Sequence, residues 1–295
     1  MAAEHRTHAL PLTPGPVPIR EEGSLRATLW VSFAPVAIRI LALGYLALVL
    51  VIPLAAVVHD GLRAGPGVFW SNLTRPAAWH AIKLTLWTAA VMAAINAVMG
   101  TLTAYVLVRY EFRGKSIVNA LVDLPLAIPT LVTGVMLVIL YGPQAAIGSW
   151  LKAQWGLEII FAPPGIILAL LFVSFPFVVR ALQPVLMELD IHQEEMAYTL
   201  GASPWLTFCR VLLPAIAPAI ASGTLLSFAR ALGEFGAIIV VAGNFPMRSQ
   251  TAAVYVLGEI ESKNPIGASA VSTFLLAIAF TLMVVVDRLQ RRREA

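Results

Sequence analysis

Apolar positions along the chain gather into six blocks, at about residues 37–58, 81–108, 117–141, 163–187, 211–243 and 265–286, parted by polar connections. None alternates apolar with polar at a period of two, so each reads as a helix rather than a strand. Each reaches the roughly 20 residues needed to cross a hydrocarbon core. Lipid admits only helices or closed barrels, because every backbone polar group must be satisfied inside the protein. The pattern therefore predicts an all-α polytopic membrane protein with six transmembrane helices. Two blocks depart from a plain span. Block 211–243 is too long for one, and Pro214 and Pro218 near its start predict a bend there. In block 117–141, Asp123, Pro125 and Pro129 stand early, and two prolines four apart free carbonyls and predict a kink. Asp123 reads as the partner of Arg109, Arg113 or Arg180 near a helix end, with a proton relay as the alternative.

Composition sharpens this picture. The chain is 59% hydrophobic and only 12% charged, against nearly half and about a quarter in ordinary soluble domains. The formal charge of +4 does not argue for nucleic acid here, since basic residues anchor the cytoplasmic ends of membrane proteins beside anionic lipid. Placing the N-terminus inside puts thirteen Lys and Arg residues on cytoplasmic segments and six outside: Arg63, Arg75, Lys83, Lys152, Arg248 and Lys263. Both termini are therefore expected in the cytoplasm. The single cysteine, Cys209, excludes an intrachain disulfide and reads as a small apolar residue. Residues 1–35, with Pro11, Pro14, Pro16 and Pro18, suit a disordered cytoplasmic tail rather than a signal core, residues 36–288 the membrane domain, and 289–295 a basic cytoplasmic tail.

One polar hairpin interrupts the apolar pattern, between the fourth and fifth blocks. Leu189 to Leu200 reads as a short amphipathic helix with Gly201 as its stop, and Ser203-Pro204 as the cap and first turn of the next. Spacing alone leaves a plain turn and a force-bearing element equally open. A second polar constellation lies inside a span, where Arg230 and Glu234, four apart, are expected to share a helix face. Charges inside a membrane face the protein interior or a water-filled path. Arg230 is thus either a candidate on an anion pathway or half of a bundle ion pair, and the ion pair is favoured because a paired charge leaves little field for a passing anion. If the two only neutralise each other, exchanging them should preserve assembly.

Glu195-Met196-Ala197, three residues, Gly201, and later Leu213-Pro214 resemble the EAA signature of ATP-binding-cassette importer permeases, with Met196 in place of the usual first alanine. The stretch "RALGEFG" at 230–236 is similar to sulfate and molybdate permeases, as is "DLPLAIPT" at 123–130. "VAGN", "QPVLMELD" and "FCRVLLPAIAPA" look most like the T-type subunit of sulfate/thiosulfate importers. The resemblance covers about residues 40–287, with a type I permease region from about 80. It implies that the 189–205 hairpin docks into an ATPase subunit, through Glu195, Met196, Ala197, Gly201, Leu213 and Pro214. It also implies a second, W-type permease chain, two ATPase subunits carrying ATP and Mg, a sulfate-binding protein outside, and a bacterial inner-membrane location. The alternatives are a molybdate or other oxyanion permease and, from a different class, a proton-coupled secondary transporter.

The chain's own chemistry points away from an enzyme. "RGKS" at 113–116 ends like a phosphate-binding loop, but Arg109 stands where that motif needs glycine. None of the five histidines lies deep in a span, and neither H-E-x-x-H nor G-x-S-x-G occurs. No metal or cofactor is expected on this chain itself.

Overall fold

The computed structural model describes residues 36–294, so the expectation for the tail 1–35 lies outside the described residues. They divide into two compact units, one ending at Ala55 and one beginning at Ala56. The described elements are all helical. In order they are α1 (Val36–Leu62), α2 (Pro66–Leu73), α3 (Pro76–Arg109), α4 (Lys115–Ala127), α5 (Thr130–Tyr141) and α6 (Ala146–Trp155). There follow α7 (Pro163–Glu188), α8 (His192–Thr199), α9 (Pro204–Leu232), α10 (Gly236–Val241), α11 (Ala252–Glu261) and α12 (Pro265–Glu294). Proline opens α2, α3, α7, α9 and α12, where its missing N–H is one the first turn leaves free anyway. Five helices, α1, α3, α7, α9 and α12, are long and apolar enough to cross a membrane, and α4 with α5 makes a sixth if that bent pair is one span.

Both irregular blocks resolve differently from a simple kinked helix. The third block breaks at Ile128-Pro129, where α4 and α5 meet at 109°. Pro129 forms the break and caps α5, whereas Pro125 stays inside α4 as a buried residue. The fifth block is no single span, because α9 ends at Leu232 and a new short helix, α10, starts at Gly236. The bend expected near Pro214 takes the form of a π turn, Phe208–Leu212, immediately before it. The same device precedes Pro53, with a π turn at Ala47–Val51. A widened turn shifts the hydrogen-bond register just where proline withdraws a donor.

The centre of the second unit is the trio α3, α7 and α9, which pack against one another along most of their lengths. Small residues permit the approach. A Cβ on Gly100 would come within 2.8 Å of Val178, and one on Gly223 within 2.9 Å of Ala181. Close backbones of this kind drive association in lipid, where burial alone supplies little. Two apolar clusters line the trio, one around Met92, Ile166, Leu170 and Leu232, the other around Leu107, Val178, Leu182 and Ile216. Between them the Asn96 amide meets the Ser227 hydroxyl at 3.4 Å, and Ser227 donates to the Ser174 carbonyl at 3.2 Å, so one polar tie links all three helices.

The short helices fill the flanks. α10 packs closely on α5 through glycines on both sides: a Cβ on Gly134 would lie 2.8 Å from the Ala237 carbonyl oxygen, and one on Gly236 would run into the Thr130 hydroxyl. α11 reaches back to α3, where the Ala252 N–H donates to Thr85 Oγ1 at 2.8 Å. At one end of the bundle Glu158 joins Lys152 (2.9 Å) and Arg248 (2.8 Å), and the lysine foremost holds the Glu158 carboxyl below its usual range. The opposite end carries the hairpin between α7 and α9.

Candidate functional site

The hairpin begins where α7 stops. Leu189 caps α7, and the Asp190 carboxylate accepts the His192 N–H at 3.0 Å. That side-chain turn competes with helix and delays α8 to His192, three residues later than the apolar pattern places it. The far end follows the expected chemistry. Gly201 has φ +84°, a left-handed conformation that glycine adopts without strain. Its N–H bonds the Tyr198 carbonyl and the Ala202 N–H bonds the Ala197 carbonyl, each at 3.0 Å, which is a full Schellman closure. Ser203 then accepts the Leu206 N–H at 3.3 Å, and Pro204 opens α9.

The faces of α8 are the reverse of an ordinary amphipathic helix. Its buried residue is Glu194, 8% exposed, while Met196 and the following Leu200 stand 64% and 86% exposed and Trp205 stands 74% exposed. Apolar groups left outside in this way mark a surface for a partner. Glu195, the acidic residue of the quoted signature, also points outward. Its carboxylate meets His192 Nδ1 at 2.9 Å and raises the pKa of that ring above the ordinary value, with Asp190 adding to the effect. Leu213 and Pro214 sit behind the π turn, with Leu212 and Ile216 buried against α7. Cys209 is half-buried within the same turn.

Two charge pairs involve α7 or the hairpin itself. Asp123 meets Arg180 in a two-pronged bond, Nε to Oδ1 at 2.7 Å and Nη2 to Oδ2 at 2.5 Å. Of the three arginines expected to compete for Asp123, Arg180 is therefore the partner. It also donates to Asn119 Oδ1 and to the Asn119 carbonyl, each at 2.9 Å, and to Gln183, so α4 is locked to α7 just before the break at Pro129. Arg109 turns instead to Glu194, Nη2 to Oε1 at 2.6 Å, with both side chains about one-tenth exposed. Those two atoms are not aligned as a hydrogen bond, so their attraction is one of charge.

Arg230 and Glu234 pair at 2.8 Å, yet they do not share a helix face. Gly233 ends α9, and Glu234 lies in the break beyond it. From there its second oxygen accepts the Ala237 N–H at 2.9 Å, capping α10. The carboxylate is 2% exposed and the guanidinium 34%. Glu234 therefore holds two elements at once, a duty the i, i+4 spacing does not reveal.

The sequence gives no hint of several of these partners. Glu194 is adjacent to Glu195 and of the same type, and only the fold turns one inward. Asn119 and Gln183 lie 61 and 3 positions from Arg180 and carry no motif. The one available signal is Arg109 itself, a cation closing a long apolar helix and in need of a counter-charge.

Among the described residues, five or six candidate spans, a broken third block and an exposed hairpin between the fourth and fifth blocks define a polytopic membrane protein. Residues 96–294 match the family of binding-protein-dependent transport system inner membrane components, and the chain belongs to that family. It is 39% identical over 251 residues to the sulfate transport system permease protein CysT of Escherichia coli K12, covering 85% of this chain and 90% of that one. It is 40% identical over 247 residues to the CysT of Synechocystis, covering 84% and 86%. Among solved structures, a chain of a bacterial ABC transporter that imports the acidic polysaccharide alginate superposes with TM-score 0.72 at 18% identity, over 91% of this chain and 99% of that one, which shows a common fold.

Proposed function

We propose that this chain is the membrane-spanning permease subunit of an ATP-driven importer of sulfate or thiosulfate. The observation that carries the reading is near-40% identity to sulfate permeases along most of both chains. In this reading the Glu195–Gly201 hairpin docks into an ATPase subunit, presenting Leu200 and Trp205. Two such subunits hold ATP and Mg, a W-type permease completes the pore, and a sulfate-binding protein delivers the anion from outside. ATP binding draws the ATPase subunits together, moves the hairpin and shifts the bundle between inward- and outward-open states. A proton-coupled mechanism through Asp123 or Glu234 is disfavoured by the two-pronged engagement of Asp123 with Arg180 and by the pairing of Glu234 with Arg230.

The test is reconstitution. Purified from bacterial membranes, the chain should travel with an ATPase and a second permease, and vesicles holding that complex should take up labelled sulfate only with ATP and the binding protein. Uptake driven by a proton gradient without ATP would sink the reading. Both termini are assigned to the cytoplasmic side, supported by the basic excess there and by the meeting of Arg109 with the hairpin at one end. With Cys209 removed, a cysteine at Gly65 or Lys152 should react with an impermeant thiol reagent added outside, and one at Lys115 should not. The opposite labelling pattern reverses the orientation.

A further inference from the structure

We infer that the Arg109–Glu194 pair is a positioning contact that carries the displacement of the hairpin into the bundle; this rests on the importer reading above. The hairpin needs a firm link to the core if a partner's movement is to reach the transport path. α8 packs chiefly on the start of α9 and on the π turn Phe208–Leu212, both continuous with the hairpin itself. The pair reaches elsewhere, from the first turn of α8 to the last turn of α3, one of the three central helices.

Its setting makes the link stiff. Leu189, Val211, Leu212 and Ala215 pack beside the two side chains and Asp190 and Gln193 complete the wall, leaving a void of about 10 Å³, no more than one water would need. Charges so enclosed attract more strongly than exposed ones, and separating them strands each without solvent. Both ends are also placed favourably, a cation at a helix C-terminus and a carboxylate at a helix N-terminus. Glu195, one residue on, is exposed and its carboxylate meets His192 of its own helix, so the two glutamates divide the work: one on the outward docking face, one inward to α3.

The experiment uses the assembled complex with its ATPase and binding protein and reads ATP hydrolysed per sulfate imported. Glu194→Gln keeps the shape and removes the charge. At normal assembly it should raise that ratio by about threefold or more, the scale on which single residues alter coupling between sites. Glu194→Asp, which retains the charge, should fall between the two. A purely structural role would lower the yield of complex and leave the ratio of the surviving complex unchanged, and that result overturns the inference. So does an equal rise for Gln and Asp, or a Glu194→Gln variant and an Arg109→Lys variant that both fail to assemble. Failure of the unmodified complex to couple ATP to uptake would instead reject the importer reading itself.

Discussion

Gly134→Val should leave little folded protein in the membrane, with a stability loss of about 3 kcal/mol, the upper end for overpacking a tight contact. Even the first added carbon would lie 2.8 Å from the Ala237 carbonyl, 2.9 Å from Val240 Cβ and 3.1 Å from Ala237 Cα. None of these is the movable tip of a long side chain, so α5 and α10 must part. α10 has only six residues and is held by α5, by α7 and by its cap, leaving little to compensate. Gly67→Ala is the control. Nothing lies within 4 Å of its added carbon, and the change should stay within about 0.5 kcal/mol. Melting of the detergent-solubilised chain compares the two. A Gly134→Val protein as stable as Gly67→Ala would show that the α5–α10 contact is not tight in the folded protein.

The same contact shows where sequence reading ends. Long apolar blocks announce spans because lipid leaves the backbone no other choice, and five of the six blocks contain the predicted crossing helix. Turn chemistry was equally legible at the hairpin, where Gly201 and Ser203-Pro204 act through their own backbone and near neighbours. The breaks were legible only in part. Pro125 and Pro129 are equivalent as residue types, and what decides between them is that Pro125 packs inward on α4 while Pro129 stands at the start of α5. Gly233 stops α9 in mid-block with no charge run or proline to signal it, since α10 resumes with equally apolar residues. Partners distant in sequence were invisible. Arg180 was one of three candidates for Asp123, and the inward turn of Glu194 toward Arg109 of α3 is a contact across the fold that no local spacing encodes.

Exchanging Arg230 with Glu234 should fail to restore assembly, although it conserves both charges. The i, i+4 spacing treats the two positions as interchangeable, and the fold does not. One oxygen of Glu234 meets Arg230 and the other accepts the Ala237 N–H, at a site 2% exposed. An arginine at 234 has no acceptor to offer, so the exchange strands that N–H and buries a guanidinium in the break. Glu234→Ala should cost about 3–5 kcal/mol, the range for removing one member of a buried pair, with the exposed third of Arg230 moderating it. The stranded N–H adds about 1–3 kcal/mol, and the two losses will not sum, because they share one carboxylate. Glu234→Gln should assemble better than either, since its amide oxygen still serves Ala237. That variant makes the role of Arg230 measurable. Paired with Arg230→Gln it gives a neutral site with the α10 cap intact, and if the arginine serves only to balance Glu234, the assembled double variant should import sulfate at a substantial fraction of the normal rate. A double variant that assembles fully and imports none would put Arg230 on the path of the anion.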